Sequence, residues 1–269
     1  MPESFAVAAL PDIHVPFHDP RALGAALKYL ADHRWDIVIQ LGDAIDLDII
    51  SRFVVHKPRL VEGRRIKSDV EDTQAVLRSI VKAARAKNPK ARVVFLEGNH
   101  EHRLERLIDA APHLDGLMNA PQLLGLTELG VEWVPYESTG EIFRVGKLAF
   151  IHGAYHNLHH AKKHVDQYGL SVAYGHLHDI SMHTGAAFEL PKGDLWGSKV
   201  SGIHASKCAI SLGCLCDYNQ KYINGRPSKW QQGFGTFHFD RSSGDFSLFV
   251  ARIHNGSFIG PNGVRYSGG

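Results

Sequence analysis

Residues 92–104 read RVVFLEGNHEHRL, and the way this run breaks decides what kind of fold the chain adopts. Arg92 to Leu96 is a compact apolar run of β-branched and aromatic residues, the signature of a strand buried on both faces. After Glu97 and a glycine come an uncharged amide, Asn99, and two imidazoles, His100 and His102. Glu101 to Ala111 then takes up a helical pattern. A buried strand that hands over to a polar loop and then to a helix is the repeating unit of a parallel α/β sheet.

The same unit recurs upstream. Phe5 to Leu10 is an apolar run closed by Pro11-Asp12. Pro20 to His33 places Leu23, Leu27 and Leu30 at helical spacing behind Asp19, a suitable N-cap. Asp36 to Leu41 is a second buried strand, closed by Gly42-Asp43. Asp69 to Lys87 is the clearest helix, stopped by Asn88-Pro89. In sheets built this way ligands bind beyond the carboxyl ends of the strands, which singles out Asp12, Asp43 and Asn99 before any chemistry is considered. Downstream the pattern turns β-rich. Strands are expected at Val131–Val134, Glu141–Val145, Lys147–His152 and Ser171–Tyr174, then near Lys207–Leu212, Gly233–Phe239 and Phe246–Ile253, with one helix near Leu158–Gln167. No linker divides the chain, so a single domain over residues 1–269 is expected, with a flexible C-terminal tail from about residue 260.

With 269 residues, 44% of them hydrophobic, the chain can bury a sizeable core. Its formal charge of +2 argues for no particular partner. Eighteen histidines are unusual, roughly three times an ordinary share, and histidine is the commonest metal ligand. The three cysteines, Cys208, Cys214 and Cys216, form no zinc-knuckle pattern and read as small buried strand residues. The N-terminus has no basic region of a signal peptide, and no stretch approaches the ~20 apolar residues of a membrane span. A soluble, cytoplasmic protein with no membrane partner is expected.

Five polar stretches stand behind apolar runs: PDIH (Asp12, His14), LGDAID (Asp43, Asp46), EGNHE (Asn99, His100), IHG (His152) and YGHLH (His176, His178). Asp-x-His and His-x-His put two side chains on one side of an extended backbone. Carboxylate, imidazole and a neutral carbonyl suit manganese, iron or zinc better than magnesium or calcium, which prefer all-oxygen shells. Each stretch alone is ordinary turn or core chemistry; all five in this order point to a metal site.

In that order the stretches resemble the calcineurin-like metallophosphoesterase superfamily, whose pattern is D-x-H, G-D-x-x-D, G-N-H-[DE], a histidine usually before glycine, and G-H-x-H. The resemblance spans Asp12 to His178. It implies an α/β fold, a four-layer α/β/β/α sandwich of two facing mixed β-sheets flanked by helices. It implies two divalent transition-metal ions, manganese first, with zinc, iron or nickel as alternatives. Asp12, His14, Asp43 and His178 would hold one ion; Asp43, Asn99, His152 and His176 the other. His100 would be a proton donor beside the phosphate. Asp46 would orient His100 or a ligand, unless it caps the following helix. Two-metal chemistry then implies hydrolysis of a phosphodiester or phosphomonoester by a metal-bridging hydroxide, on a substrate of the nucleotide or nucleic-acid class. The rivals are a DNA-repair-type nuclease, a phosphoprotein phosphatase and an inactive scaffold. The oligomeric state stays open.

Several neighbours are candidates for substrate contact. Arg103 lies on the helix after His100 and could steady a phosphate, as could Arg106; His102 and His156 could line the pocket. His159, His160 and His164 read as a polar helix face. The basic segment 56–67 is either a flap over a polyanion or a solvated loop or subunit contact. The segment 216–234 is either a lid, with Tyr218, Tyr222 or Trp230 stacking on a base, or a surface excursion.

Overall fold

A computed structural model describes residues 3–54, 56–136, 142–188, 204–218 and 228–269. The first half carries β1 (Ser4–Leu10), α1 (Pro20–Asp32), β2 (Ile37–Gln40), α2 (Ile66–Ala84), β3 (Arg92–Leu96), α3 (Arg103–Ala110), the short α4 (Ala120–Leu123) and β4 (Val131–Val134). The second half carries β5 (Phe143–Val145), β6 (Leu148–Phe150), α5 (His160–Tyr168), β7 (Ser171–Tyr174), β8 (Ile180–Phe188), β9 (His204–Leu212), β10 (Gly233–Asp240), β11 (Phe246–Arg252), β12 (Ser257–Ile259) and β13 (Arg265–Ser267). Glu141, expected to open a strand, lies outside the described residues.

Two large sheets result, in the orders β11-β10-β1-β2-β3-β4 and β5-β6-β7-β9-β8. β1 to β4 run parallel, as do β6, β7 and β9, while β10, β11, β5 and β8 pair antiparallel. Both sheets are therefore mixed. Their period-two alternation sorts side chains into layers. Ala8, Leu10, Val38, Val93 and Phe95 face helices α1 and α2, packing with Leu23, Leu30, Leu77 and Ile80. Val7, Ala9, Ile39, Val94 and Leu96 face the second sheet and meet Leu148, Phe150, Ala173, Ile210 and Leu212. The far face of that sheet packs Ala149, Ile151, Val172 and Ala209 against Ala161 and Val165 of α5. The order helix, sheet, sheet, helix is the expected four-layer sandwich. Burial on both faces explains why the parallel strands read as unbroken apolar runs.

The N-terminus of α1 is fixed as expected: the Asp19 carboxylate accepts from the N–H groups of Arg21 (2.8 Å) and Ala22 (3.2 Å), with Pro20 behind it. The loose tail, by contrast, is a hairpin. β12 pairs with β13, and the buried Phe258 and Tyr266 pack on Tyr29 of α1, with ring centroids 5.5 and 4.9 Å away. The intervening Gly-Pro-Asn-Gly reads as a disordered end, but it is a turn between two aromatic anchors. No helix among the described residues is long and apolar enough to cross a membrane.

Candidate metal centre

β1, β2, β3, β6 and β7 end at one edge of the sandwich, and the five polar stretches follow these ends. The backbone there is unusual. Asp12, His14, Asp43, His176 and His178 all have positive φ, between +41° and +68°, a conformation that costs non-glycine residues free energy and persists where surrounding structure enforces it. The turns curl back on themselves and so aim their side chains inward.

Glu101 is the main enforcing group. It is fully buried, and its two carboxylate oxygens accept from the backbone N–H groups of Asp43 (2.9 Å), Ala44 (2.8 Å), Ile45 (3.1 Å) and Gly98 (2.9 Å). One side chain thus locks the β2 turn to the β3 turn. Burial and the neighbouring Asp43 carboxylate push Glu101 up to about 7, against the pull of those N–H groups. Two glycines provide the room. A Cβ on Gly98 would sit 2.2 Å from Asp43 Oδ1, and one on Gly175 2.0 Å from Asp12 Oδ2.

The structure brings all seven predicted ligands together. Asp12 Oδ1 lies 3.2 Å from His178 Nε2 and 3.8 Å from His14 Nε2. The two imidazole Nε2 atoms of His14 and His178 are 3.1 Å apart. Asp43 Oδ2 is central, 3.6 Å from His14 Nε2, 3.3 Å from His152 Nε2 and 3.7 Å from His100 Nε2. His152 Nε2 also lies 3.0 Å from Asn99 Oδ1 and 3.2 Å from His176 Nδ1. Asp12, His14 and His178 form one mutually adjacent set of donors and Asp43, His152 and His176 another. Facing imidazole nitrogens can share only one proton between them, so this packing of lone pairs and carboxylates suits cations better than protein hydrogen bonds.

The outward nitrogens fix the tautomers. His14 Nδ1 donates to Asp46 Oδ2 at 2.9 Å, and His152 Nδ1 donates to the Leu41 carbonyl at 2.8 Å. Burial alone would lower both imidazoles, but their carboxylate neighbours override it. His14 is held well above its ordinary value by Asp12, Asp46 and Asp43, and His152 at about 10 chiefly by Asp43. Burial likewise opposes ionisation of Asp12 and Asp43, yet the surrounding imidazoles hold both carboxyls well below the usual range.

His100 is placed by backbone and guanidinium. Its Nδ1 donates to the Asp46 carbonyl at 2.7 Å, and Arg103 Nη2 donates to its Nε2 at 3.0 Å. Arg103 Nη1 also donates to the Asp46 carbonyl, at 2.7 Å. Burial lowers His100 to about 4, so the imidazole expected as a proton donor is neutral in this arrangement. Asp46 is not a helix cap: its carboxylate accepts from His14 and lies 3.5 Å from His100 Nδ1, which donates to its carbonyl. His102 turns to Glu97, 3.2 Å away, and stacks on Tyr136 at 5.3 Å. His156 is exposed, its ring 6.0 Å from that of His176. Asn99, His100 and His176 are the least buried of the set, which makes theirs the open side.

The polar helix face expected of α5 is partly internal. His160 is buried, bonded to the Tyr174 hydroxyl (2.7 Å) and Asp179 Oδ2 (3.0 Å). His164 is buried one turn on, its Nε2 accepting from the Ala154 N–H at 3.2 Å. Together they brace the turns carrying His152, His176 and His178. In the basic segment, Arg64 is paired with Asp48 and Asp69, while Lys57, Arg59, Arg65 and Lys67 are exposed. Tyr218 accepts from the Gln232 N–H at 2.6 Å. Trp230 stands edge-on to His178, centroids 4.3 Å apart. Tyr222 lies outside the described residues. Sequence reading missed Cys216, whose Sγ is 3.9 Å from His178 Nδ1; nothing in a lone Cys-x-Cys marks it as a neighbour of the GHLH turn.

The family model of the calcineurin-like phosphoesterases matches residues 5–204. The chain is 26% identical over 247 residues to the gene 54 protein of Mycobacterium phage D29, covering 87% of this chain and 89% of that protein. The gene 54 protein of Mycobacterium phage L5 is also 26% identical, over 248 residues with the same coverage. Among solved structures, Vps29 complexed with zinc from Entamoeba histolytica is similar at 12% identity and a TM-score of 0.45, covering 98% of this chain and 99% of that one.

Proposed function

The chain belongs to the calcineurin-like phosphoesterase family, and from that premise we propose that it is a dinuclear metal-dependent phosphoester hydrolase. Asp12, His14, Asp43 and His178 would hold one divalent ion, and Asp43, Asn99, His152 and His176 the second. The central position of Asp43 Oδ2, within 3.6 Å of His14 on one side and 3.3 Å of His152 on the other, carries the reading. When bound, such a pair neutralises phosphoryl oxygens and lowers the pKa of water toward neutrality. Mixed oxygen and imidazole donors favour manganese, with zinc, iron and nickel as alternatives.

The chain's own residues do the rest. Glu101 keeps Asp43 and the Asn99 turn in register. Asn99 contributes a carbonyl oxygen without adding charge to a site already holding Asp12, Asp43 and Asp46. His100 starts neutral, with its proton on Nδ1. A bound phosphoryl group brings negative charge to the open side and raises the imidazole, which takes up a proton from solvent at Nε2. Arg103 then moves its Nη2 from His100 Nε2 to a phosphoryl oxygen, and the protonated Nε2 serves the leaving oxygen. General acid catalysis of this kind is worth about 10²–10⁴-fold.

The substrate proposed is a phosphodiester or phosphomonoester of the nucleotide or nucleic-acid class, entering beside Asn99, His100 and His176. A turnover panel with manganese-loaded protein tests this, using an aryl monoester, an aryl diester, 2′,3′- and 3′,5′-cyclic nucleotides, single-stranded DNA and a phosphopeptide. Turnover of the diesters and nucleotides supports the reading. Preference for the phosphopeptide redirects it to a protein phosphatase. Protein that holds two ions and turns over none of them is a scaffold.

A further inference from the structure

A histidine that ligates a metal anchors its other ring nitrogen on a carboxylate, a backbone carbonyl or a water in nearly all cases. His14 and His152 follow the rule, with Asp46 and the Leu41 carbonyl. His178 departs from it: its Nδ1 faces Cys216 Sγ at 3.9 Å. We propose that Cys216 is the positioning residue of His178, its sulfur accepting the Nδ1–H and so turning Nε2 toward Asp12 and His14.

The placement of that sulfur is built. Cys214, Leu215 and Cys216 run between two other segments of the site and are tied to both. Cys214 N–H donates to the Gln231 carbonyl (3.0 Å), Leu215 N–H to the Asp12 carbonyl (2.9 Å) and Asp217 N–H to the Phe17 carbonyl (2.8 Å). The Cys216 carbonyl accepts from Gln232 Nε2 at 2.9 Å. The Gln231 N–H returns to the His178 carbonyl at 2.6 Å. His178 itself has φ +60°, so its ring is steered by what surrounds it: Asp12 at Nε2, Cys216 at Nδ1 and the edge of Trp230. Cys214 is equally buried, but its thiol donates to the Gln231 carbonyl at 3.8 Å.

His178, Cys214 and Cys216 also offer three donor atoms within 4.8 Å of one another. Zinc bonds of about 2.3 Å to sulfur and 2.0 Å to nitrogen place such donors roughly 3.6 Å apart, so a soft ion held by the trio is the competing arrangement. The orientation of His178 favours the hydrogen bond, because Nε2 already faces Asp12 and His14.

The inference rests on the proposed dinuclear centre, and one set of titrations separates the two. Chelator-stripped, reduced protein is titrated calorimetrically with Mn(II), and separately with Cd(II) while thiolate-to-metal absorption is followed in the ultraviolet. Thermal melts by circular dichroism check the fold of each variant. Wild type is expected to take two Mn(II). Cys216→Ala weakens one of the two by about 10–100-fold, the cost typical of losing an outer partner. Cys216→Ser, which keeps an acceptor, recovers part of the loss, and Cys214→Ala binds as wild type. Equal losses in Cys214→Ala and Cys216→Ala, or none in Cys216→Ala, overturn the proposal. So does a thiolate–cadmium band that needs both cysteines, which would make the trio an ion site. Wild type that takes no Mn(II) defeats the dinuclear reading itself.

Discussion

Gly98→Ala adds a single methyl group at the most crowded point of the site. Gly98 does not have positive φ, so the substitution carries no backbone strain and acts through contact alone. The new Cβ would lie 2.2 Å from Asp43 Oδ1, 2.3 Å from the Asp43 nitrogen and 2.8 Å from Glu101 Oε2. Ordinary contact begins at 3.4 Å, so the Asp43 carboxylate must retreat by the 1.2 Å difference and, because the Asp43 backbone nitrogen is struck too, the two turns must part. Neither is easy, because Glu101 staples both turns and His100 N–H holds Asp43 Oδ1 at 2.9 Å. Overpacking of this kind costs about 1–3 kcal/mol of stability. A displacement of about 1 Å in a reacting constellation costs on the order of 10²-fold in rate. Metal content by elemental analysis, kcat/KM on an aryl diester and a urea melt, all on one preparation, read the three effects together. The expected variant is folded, moderately destabilised, short of metal and at least 10²-fold slower. A Gly98→Ala protein that keeps two ions and near-wild-type rate would refute the placement of Asp43 under Gly98, and with it the sharing of Asp43.

Other outcomes follow from the same geometry. His100→Asn should keep both ions and lose about 10²–10⁴-fold in kcat, most for esters with poor leaving groups; loss of metal instead would make His100 a ligand. In the metal-free protein the Asp43 carboxylate, overriding burial, holds His152 at about 10, so a metal must expel a proton on entering. Mn(II) affinity should therefore rise with pH across pH 6–8, with proton release seen by calorimetry in buffers of different ionisation enthalpy; a flat profile contradicts the assignment. Tyr174→Phe removes the hydroxyl bonded to His160 while keeping its ring stacked on His164 (centroids 4.0 Å apart). It should cost about 1–3 kcal/mol in denaturant unfolding, because a buried imidazole nitrogen loses its partner; an unchanged midpoint would remove His160 from the bracing network.

What could be read from residues alone divides along physical lines. β1, β2 and β3 were legible because strands covered on both faces carry unbroken apolar runs, and the polar residues behind them stand out by contrast. β8 is not legible as a strand: ISMHTGAAF alternates little and contains Gly185, which sits against the side chain of Val165. The β12–β13 hairpin reads as a tail because two short strands around Gly-Pro-Asn-Gly carry little signal until Tyr29 supplies their partner. Asp12, His14, Asp43, Asn99, His152, His176 and His178 were found by their order behind strands. Asp46 is expected to orient His100 or a ligand, and its carboxylate bonds the predicted ligand His14; the inward turn of His160 and His164 is not legible, because Tyr174, Asp179 and Ala154 in other elements decide it. Cys216 carries no such signal: its neighbour His178 is 38 residues distant.

The central claim is that two ions share Asp43. Crystals of the manganese-loaded protein, measured at the manganese absorption edge, test it most directly. The account predicts two anomalous peaks about 3.5–4 Å apart, with Asp43 between them, Asp12, His14 and His178 around one and Asn99, His152 and His176 around the other. A single peak, or peaks away from these side chains, would contradict it.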